Sequence, residues 1–403
     1  MNVKGTLMSV EDALDIVLGE TLEFGIEEVD FKQSLGRILK EEIKADREMP
    51  PFDRVSMDGI ALKSSVFKSG KRHFKIENIQ AAGKEQLTLN NDANCLEAMT
   101  GAMLPLGADS VIPYEQISIE NGMAHVKVEE INYFQNIHKK GLDRKKNDLL
   151  IAKNTKISSA EIGVLATVGK AVVKVAVMPK VAIISTGDEL VDVDEIPAPF
   201  QIRKSNVHTL DSLLKSFELN ADIFHISDDK EQLRREISTL LNAYDVLMFS
   251  GAVSKGKFDY LPEILDELSV QKLFHKVRQR PGKPFWFGKK SKTTIFAYPG
   301  NPVSTFVSCL KYFVPWFEKS LQSKFEHKSF AILAKDFMFK PELTYFLQVK
   351  IINSDGKLMA FPDAGNGSGD LANLSQNDGF LELPSNRTEF KRGEVFPLIQ
   401  YRH

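Results

Sequence analysis

The chain has 403 residues, which is too long for one typical hydrophobic core, so two to four domains are expected. Its 52 Lys and Arg residues nearly balance its 54 Asp and Glu residues, which gives no argument for a nucleic-acid partner or a membrane surface. Cys95 and Cys309 are too few for a disulfide framework, and the N-terminal stretch lacks the apolar core of a signal peptide. We therefore expect a cytoplasmic protein.

The first part of the chain predicts one helix, then a loop, then short strands. Residues 9–18 form a helix, because Ser9 and Asp12 have the spacing of a capping box and Gly19 follows as a stop. Residues 46–58 are a loop, since Pro50 and Pro51 disfavour a helix. From residue 60 to about residue 131, alternating polar and apolar residues predict a separate β-rich domain.

The second half of the chain alternates between strands and helices. A capped helix over 158–168 leads to strands at 181–185, 221–227 and 245–250, with helices at 207–217 and 230–241 between them. Such alternation implies a parallel sheet covered on both faces. Strands at 284–288 and 293–298 extend it, and Pro315 disturbs the last turn of the next helix. Beyond residue 324 no helix pattern remains, which predicts a terminal β-barrel or sandwich.

Three of these strands end in turns of small and acidic residues, at Thr186–Glu189, Ser250–Ala252 and Pro299–Pro302. In open α/β sheets, ligands bind in the crevice beyond the carboxyl ends of the strands. Gly-rich turns that lead into helices favour anions, so we expect one anion-binding site there. The alternative is three ordinary connections between a strand and a helix.

Acidic residues gather at the same predicted edge, namely Asp188, Glu189, Asp228, Asp229 and Asp259. Clustered carboxylates repel one another unless a cation joins them, and carboxylate oxygens together with phosphates suit Mg²⁺. The alternative for Asp228 is a helix N-cap, because it directly precedes a predicted helix.

Basic residues surround a rigid Pro281-Gly282 turn, namely Lys276, Arg278, Arg280 and Lys283. Such charges would hold a tetrahedral oxyanion such as phosphate or molybdate, and the alternative is a solvated basic loop. Acidic metal ligands and basic anion ligands at one crevice indicate phosphoryl or nucleotidyl chemistry. The chain contains none of the motifs GxxxxGK[ST], GxGxxG and GxSxG, which argues against a P-loop enzyme, a Rossmann dehydrogenase and an acyl hydrolase.

Six motifs, in this order along the chain, resemble the MoeA family of molybdopterin molybdenumtransferases, to which the E domain of gephyrin is related. They are PPFDRVSMDG (50–59), MTGAMLPLGADSVIPYEQ (99–116), STGDEL (185–190), SGAVSKGKFDY (250–260), RPGKPFWFG (280–288) and YPGNPVS (298–304). The resemblance covers essentially the whole chain.

The resemblance implies an elongated homodimer of four-domain subunits. Residues 1–21 and 177–326 would form an α/β molybdopterin-binding domain, 22–44 and 144–176 a linking domain, 45–143 a β-rich domain, and 327–403 a C-terminal β-barrel. The active crevice would lie between the α/β domain of one subunit and the β-rich domain of the other.

The reaction that the resemblance implies is the insertion of molybdate into adenylylated molybdopterin, which releases AMP and gives the molybdenum cofactor. Mg²⁺ would be held by Glu189, Asp228 and Asp259. Molybdate would be held by Arg280, Lys283 and the backbone near Pro284, with Lys276 close by and Ser368 near the same site. The binding site for the adenylate and the pterin would be lined by Gly251, Ser254, Gly300, Asn301, Pro302 and Ser304. Asp58 and Thr100 match functional positions on loops that face the partner subunit, and Asp143 lies in a further matching loop.

The sequence departs from the family pattern at several of these positions. Ala252 replaces a usual Gly, Lys257 stands where an acid is common, Arg280 replaces a common Lys, and Gln348 stands where an anion-binding Arg is expected. Two other functions are considered beside the main one, a molybdopterin adenylyltransferase and a non-catalytic scaffold like the E domain of gephyrin. The adenylyltransferase is also a candidate partner.

Overall fold

The computed structural model of the chain describes residues 7–251, 253, 260–323 and 329–402. These residues divide into two compact units. The first consists of Met1–Lys40, Asn154–Ser158 and Val172–His403, and the second of Glu41–Lys153 and Ser159–Ala171. The four-domain division is finer than this and stays a prediction.

The α-helices of the described residues are α1 (Val10–Gly19), α2 (Ser64–Lys68), α3 (Ser159–Thr167), α4 (Asn206–Lys215), α5 (Lys230–Ala243), α6 (Leu261–Glu267), α7 (Pro302–Ser308), α8 (Val314–Ser320) and α9 (Leu371–Gln376). The predicted N-terminal helix is confirmed with its cap, because the Asp12 N–H donates to Ser9 Oγ at 3.0 Å. In the part of the chain that is described, each helix is too short or too polar to span a bilayer.

The strands of the first half are β1 (Ile26–Asp30), β2 (Ile43–Lys44), β3 (Arg54–Val55), β4 (Gly59–Leu62), β5 (His73–Gln80), β6 (Cys95–Ala98), β7 (Ser110–Pro113), β8 (Ile117–Glu120), β9 (Met123–Val126), β10 (Ile137–His138), β11 (Leu149–Ile151) and β12 (Val172–Ala176). The strands of the second half are β13 (Val181–Thr186), β14 (Leu190–Val191), β15 (Ile202–Arg203), β16 (Ala221–Ile226), β17 (Val246–Ser250), β18 (Gln271–His275), β19 (Gln279–Arg280), β20 (Trp286–Lys290), β21 (Thr293–Tyr298), β22 (Ser329–Leu333), β23 (Phe337–Met338), β24 (Thr344–Ser354), β25 (Lys357–Pro362), β26 (Gly379–Leu383), β27 (Glu389–Phe390) and β28 (Val395–Gln400).

The first unit contains the predicted α/β sheet, with strand order β16-β13-β17-β21-β20-β18. The first four strands run parallel, and β13, β17 and β21 are buried along their whole length, which explains their uninterrupted apolar sequence. Apolar side chains pack against the sheet in two separate clusters, as expected when helices cover both faces. The prediction of a parallel sheet is wrong for β20, which runs antiparallel to both of its neighbours, β21 and β18.

The helix after β21 continues through Pro315 to Ser320, so the predicted disturbance of its last turn at Pro315 is wrong. Between α7 and α8 the chain forms a π-helical segment over Cys309–Phe313. Pro315 lies in the first turn of α8, directly after this segment, and its missing N–H removes one hydrogen-bond donor there. Both helices pack against the sheet.

The last part of the first unit is a small barrel. Strands β24, β25, β22, β28 and β26 follow one another, and β26 pairs back with β24 to close the ring. Strand β19 from the α/β region adds to this sheet through β24. The expectation that no helix occurs beyond residue 324 is wrong, because α9 follows the loop after β25. This short helix buries Asn373 and Leu374.

The second unit contains a β-rich region, as predicted. Its six-stranded sheet has the order β7-β4-β6-β5-β9-β8, and apolar side chains of these strands form a core of their own. Gly59 in β4 shows how closely the strands approach, because a Cβ atom there would lie 1.9 Å from the carbonyl oxygen of Ile112. Only glycine fits at that position.

Candidate active site

The ends of the parallel strands lie level with one another along one edge of the α/β sheet. Ser185 in β13 is paired with Ser250 in β17, and Ser250 is paired with Tyr298 in β21. The turns that follow these three strands are therefore neighbours, as the rule for open α/β sheets predicts. This edge collects most of the residues that the sequence nominated.

The turns after β17 and β21 approach each other closely at two glycines. A Cβ atom built on Gly300 would lie 3.7 Å from Gly251 Cα. Gly251 has a φ of 106°, a backbone conformation that glycine adopts readily, and its N–H donates to Tyr298 O at 3.0 Å. The absence of side chains here exposes the backbone to a ligand.

Asn206 holds the same two turns together and was not nominated from the sequence. Its Nδ2 donates to Ser250 Oγ at 2.8 Å and to Gly300 O at 2.7 Å. Asn206 is the first residue of α4, far from both partners along the chain. Ser250 is 5 % exposed, so one of these hydrogen bonds is shielded from water.

The acidic turns after β13 and β16 are also in contact. Asp188 Oδ1 accepts a hydrogen bond from the Asp228 N–H at 3.2 Å, which joins the turn bearing Glu189 to the turn bearing Asp228. The alternative assignment of Asp228 as a helix N-cap is wrong, because Asp229 caps α5 by accepting from the Gln232 N–H at 2.7 Å. The side chain of Asp228 therefore does not serve as that cap.

A histidine near the acidic turns was likewise missed. His225 Nδ1 lies 3.0 Å from Ser185 Oγ. Burial lowers the pKa of His225, and the nearby Lys204 lowers it further, which favours the neutral imidazole. Lys204 in turn forms an ion pair with Asp192 at 2.8 Å and lowers the pKa of that carboxyl. No local sequence signal marked His225, because its contact arises only from strand pairing.

The basic turn is anchored on α7. Pro281 and Gly282 are buried, and a Cβ atom on Gly282 would lie 2.7 Å from Ser308 Oγ and 3.6 Å from Ser304 O. The side chain of Gln279 fixes the turn, since its Nε2 donates to Pro281 O at 3.1 Å and its Oε1 accepts from the Tyr312 hydroxyl. The turn thus lies beside Ser304, one of the predicted substrate-binding residues.

The basic side chains point away from this anchored backbone. Arg280 and Lys283 are exposed, and the Arg280 guanidinium lies 5.8 Å from the ring centroid of Phe339 in the barrel region. Lys276 is half-buried and donates its N–H to Phe285 O at 2.9 Å, while Pro284 lies between Lys283 and Phe285. Exposed cations on a rigid turn suit an oxyanion, because the charges remain available while the backbone stays fixed.

A loop of the barrel region reaches the start of α7. Ser368 Oγ accepts a hydrogen bond from Asn301 Nδ2 at 2.9 Å, and Ser368 O accepts from the Val303 N–H at 3.1 Å. Pro302 follows Asn301 as the first residue of α7. The structure therefore brings Gly300, Asn301, Ser304 and Ser368 together.

Asp58 and Thr100, in the second unit, are brought together as a pair. The Thr100 N–H donates to Asp58 Oδ1 at 2.6 Å, and this hydrogen bond is the main cause of the lowered pKa of Asp58. The carboxylate of Asp58 is exposed and charged at neutral pH. Asp143, in the further matching loop, accepts a hydrogen bond from His138, whose Nε2 lies 2.8 Å from Asp143 Oδ1.

Ser254 and Asp259, together with the departures Ala252 and Lys257, lie outside the described residues. The described residues contain no group of three or more His, Cys, Asp or Glu side chains that could hold a metal ion. With Asp259 outside that part of the chain, the three-carboxylate metal set stays a prediction.

The fold and the strand-end site define an α/β protein of the molybdopterin-binding class. A family model described as "Probable molybdopterin binding domain" matches residues 182–319. Two further models match on either side of it, "MoeA N-terminal region (domain I and II)" at residues 8–169 and "MoeA C-terminal region (domain IV)" at residues 331–401. The chain belongs to the MoeA family.

Relatives and a solved structure are similar to this chain over nearly its full length. Proteins named molybdopterin molybdenumtransferase are similar to this chain in Synechocystis sp. (40 % identity, 98 % of this chain and 100 % of the relative) and in Bacillus subtilis (29 % identity, 99 % and 95 %). A crystal structure of the molybdopterin biosynthesis MoeA protein of Pyrococcus horikoshii is similar with a TM-score of 0.82 and 29 % identity, and the match covers 99 % of this chain and 100 % of that chain.

Proposed function

We propose that this chain is an enzyme that inserts molybdate into adenylylated molybdopterin, releases AMP and forms the molybdenum cofactor. The observation that carries the proposal is the convergence on α7, where the Gly300 turn, the Ser368 loop and the Pro281-Gly282 turn all meet. Full-length similarity to proteins named molybdopterin molybdenumtransferase supports this reaction over a lone adenylyltransferase or a scaffold.

The adenylate and the pterin bind at the strand ends. Gly251 and Gly300 leave their backbones open to a ligand, and Asn301, Ser304 and Ser368 supply polar groups beside them. Pro302 and Ser254 complete the set of residues nominated for this site. The buried strands below hold these turns in place, so the site is largely formed before the substrate arrives.

The molybdate substrate binds at the basic turn. Arg280 and Lys283 provide exposed positive charges, Lys276 adds a third, and the backbone near Pro284 lies alongside. Charge-assisted hydrogen bonds from such groups are stronger than neutral ones and suit a tetrahedral dianion. The anchored Gly282 backbone keeps these charges beside Ser304, and so beside the proposed pterin site.

Magnesium fits the acidic turns. Glu189 and Asp228, with Asp259, would offer the oxygen donors that Mg²⁺ prefers, and the hydrogen bond between Asp188 and Asp228 keeps two of the turns adjacent. When bound, Mg²⁺ would neutralise charge on the pyrophosphate of the substrate. The protein contributes the placement of these carboxylates at the edge where the adenylate binds.

The proposed enzyme is a cytoplasmic homodimer with the four-domain subunit that the resemblance implies. Asp58 and Thr100 would then serve the active crevice of the partner subunit, and their mutual hydrogen bond supports a shared role. Cys95 and Cys309 are buried free thiols, in keeping with a reducing compartment. The molybdopterin adenylyltransferase, which makes the substrate, is a candidate partner.

The test supplies adenylylated molybdopterin, molybdate and Mg²⁺ to the purified chain and measures the molybdenum that elutes with the pterin. The proposal predicts metal-loaded pterin and an equal amount of AMP, with both lost when EDTA removes Mg²⁺ and restored by added Mg²⁺. Lys283→Ala should raise the molybdate concentration needed for half-maximal rate roughly tenfold, while Lys292→Ala, an exposed lysine in the turn after β20, should leave it unchanged. Metal-free pterin after incubation with the wild-type chain would rule the proposal out.

A further inference from the structure

A groove in the second unit is not explained by any residue role described so far. Its volume is about 560 Å³, within the range of small-molecule sites, and it lies directly beside the loop that carries Asp58. Its walls include Met57, Pro113, Gln116, Tyr133, Phe134 and Asn136. The groove is therefore large enough for a bicyclic ring.

The walls of the groove are tied together by hydrogen bonds of the backbone. The Tyr114 N–H donates to Asp58 O at 3.2 Å, and the Ser56 N–H donates to Asn136 O at 3.1 Å. Asn136 Nδ2 also donates to Val111 O at 2.9 Å. These contacts link the loop before β4, the end of β7 and the segment before β10, so the groove is preformed.

One wall of the groove is an exposed aromatic surface. Tyr133 is 64 % exposed, and its ring meets Phe134 edge-on with a centroid distance of 4.8 Å. Lys139 Nζ lies 4.7 Å from the Phe134 ring centroid, so one face of the Phe134 ring is already in contact with a cation. Met57, 42 % exposed, adds a flexible thioether. Exposed aromatic and thioether groups suit a flat, polarisable ligand.

The polar groups of the groove favour a neutral heterocycle over an anion. Gln116 Oε1 is buried and has no hydrogen-bond partner among the described residues, so the groove offers an unused acceptor. Glu115 is the one charged side chain among the described lining residues, and Lys and Arg are missing from that set. The described lining residues offer no cation to a phosphate or carboxylate, whereas a ring amino group could donate to Gln116 Oε1.

We propose that this groove binds an amino-substituted, fused nitrogen heterocycle, with its face on Tyr133 and its amino group at Gln116. The inference rests on the proposed function, because both the pterin and the adenine of the substrate are rings of this class. Like Asp58, the groove would serve the substrate bound at the strand ends of the partner subunit. It assigns Tyr133 and Gln116 as ring-binding residues in the same β-rich region as Asp58. Met57, in the wall of the groove, directly precedes Asp58 in the chain.

The test measures the binding of neopterin, AMP and ribose 5-phosphate to the full chain by calorimetry. Tyr133→Ala should weaken the binding of neopterin, of AMP or of both roughly tenfold, because a stacking surface is lost. Tyr133→Phe should bind within about twofold of the wild type, since stacking is retained. The matched control is Phe330→Ala, an exposed aromatic in the barrel region, which should bind like the wild type.

Gln116→Leu separates amino-group recognition from stacking, and it should weaken the same ring compound severalfold while ribose 5-phosphate is unaffected. Weakening of neopterin alone assigns the groove to the pterin half of the substrate, and weakening of AMP alone assigns it to the adenine half. Unchanged dissociation constants of both rings in Tyr133→Ala overturn the inference, as does equal weakening by Phe330→Ala.

Turnover separates this inference from the proposed function. If AMP release depends on molybdate but Tyr133→Ala leaves the affinity for both rings unchanged, the inference about the groove is refuted and the proposed function stands. Ring binding that depends on Tyr133, with no AMP release by the wild type, supports the groove and refutes the proposed function.

Discussion

Replacement of Asn206 by alanine removes the side chain that joins the turns after β17 and β21. Both hydrogen bonds from Nδ2 are lost, one to Ser250 Oγ and one to Gly300 O. Because Gly251 and Gly300 lie at the centre of the proposed substrate site, loosening these turns should affect substrate binding as well as stability. The change leaves the nominated substrate and metal ligands in place.

The size of the effect follows from the two acceptors. Each hydrogen bond contributes about 1 kcal/mol net, but Gly300 is exposed, so water can replace the donor at its carbonyl. Ser250 is buried and loses its partner, whereas removal of Asn206 Oδ1, which is buried without a partner, offsets part of the cost. The free energy of unfolding should fall by roughly 1–2 kcal/mol. For a unit of this size that corresponds to a Tm lower by about 2–8 °C.

The assay compares thermal unfolding and the kcat/KM of AMP release. Asn206→Ala should lower kcat/KM roughly tenfold, because small displacements of a substrate-positioning group have large effects on rate. The matched control is Asn242→Ala, an exposed asparagine whose Nδ2 donates to Ser238 O within α5, and it should alter neither quantity measurably. If Asn206→Ala and Asn242→Ala behave alike in both measurements, the reasoning about the tied turns is wrong.

Other predictions concern single residues. Asp58→Asn should fold normally and release AMP at least tenfold more slowly. Because the pKa of Asp58 is lowered in the folded state, its carboxylate should stabilise the fold above about pH 4, and this stabilisation should vanish as the pH falls through the lowered folded pKa. Urea titrations of both forms at several pH values will show this difference. Gly59→Ala should destabilise the fold by about 3 kcal/mol, since a Cβ atom would lie 1.9 Å from a carbonyl oxygen. Gly163→Ala, in helix α3 with open space around it, should instead stabilise the fold by about 0.5–1 kcal/mol. Chemical denaturation measures the free energy of unfolding of both variants. Burial raises the pKa of Cys95 and of Cys309 to about 12, so neither thiol should react with a disulfide reagent at pH 8 until denaturant is added; rapid reaction of the native chain would contradict the structure.

Much of the fold was predictable because buried parallel strands have a recognisable sequence pattern, an uninterrupted run of apolar residues. Residues 246–249 are uninterruptedly apolar and lead into Ser250-Gly251, and the structure shows a fully buried strand at this place. The same physical rule predicts the anion site at the strand ends. The direction of β20 could have been foreseen too, since only two residues separate it from β21 and a parallel crossover needs far more.

Other features could not be predicted, because their causes are distant in sequence. Asn206 acts on Ser250 and Gly300, which are 44 and 94 positions away. Helix α9 has six residues, too few for an amphipathic period to be visible, and buried contacts of Asn373 and Leu374 hold it in place. The contact of Ser368 with Asn301 likewise arises only when the barrel loop folds onto α7.

The most direct measurement is the rate of AMP release from adenylylated molybdopterin, with and without molybdate, at a fixed Mg²⁺ concentration. If acidic turns, glycine backbones and basic side chains form one site for both substrates, release should depend on molybdate and saturate with it. AMP release at the same rate without molybdate, or no release under either condition, would contradict the account.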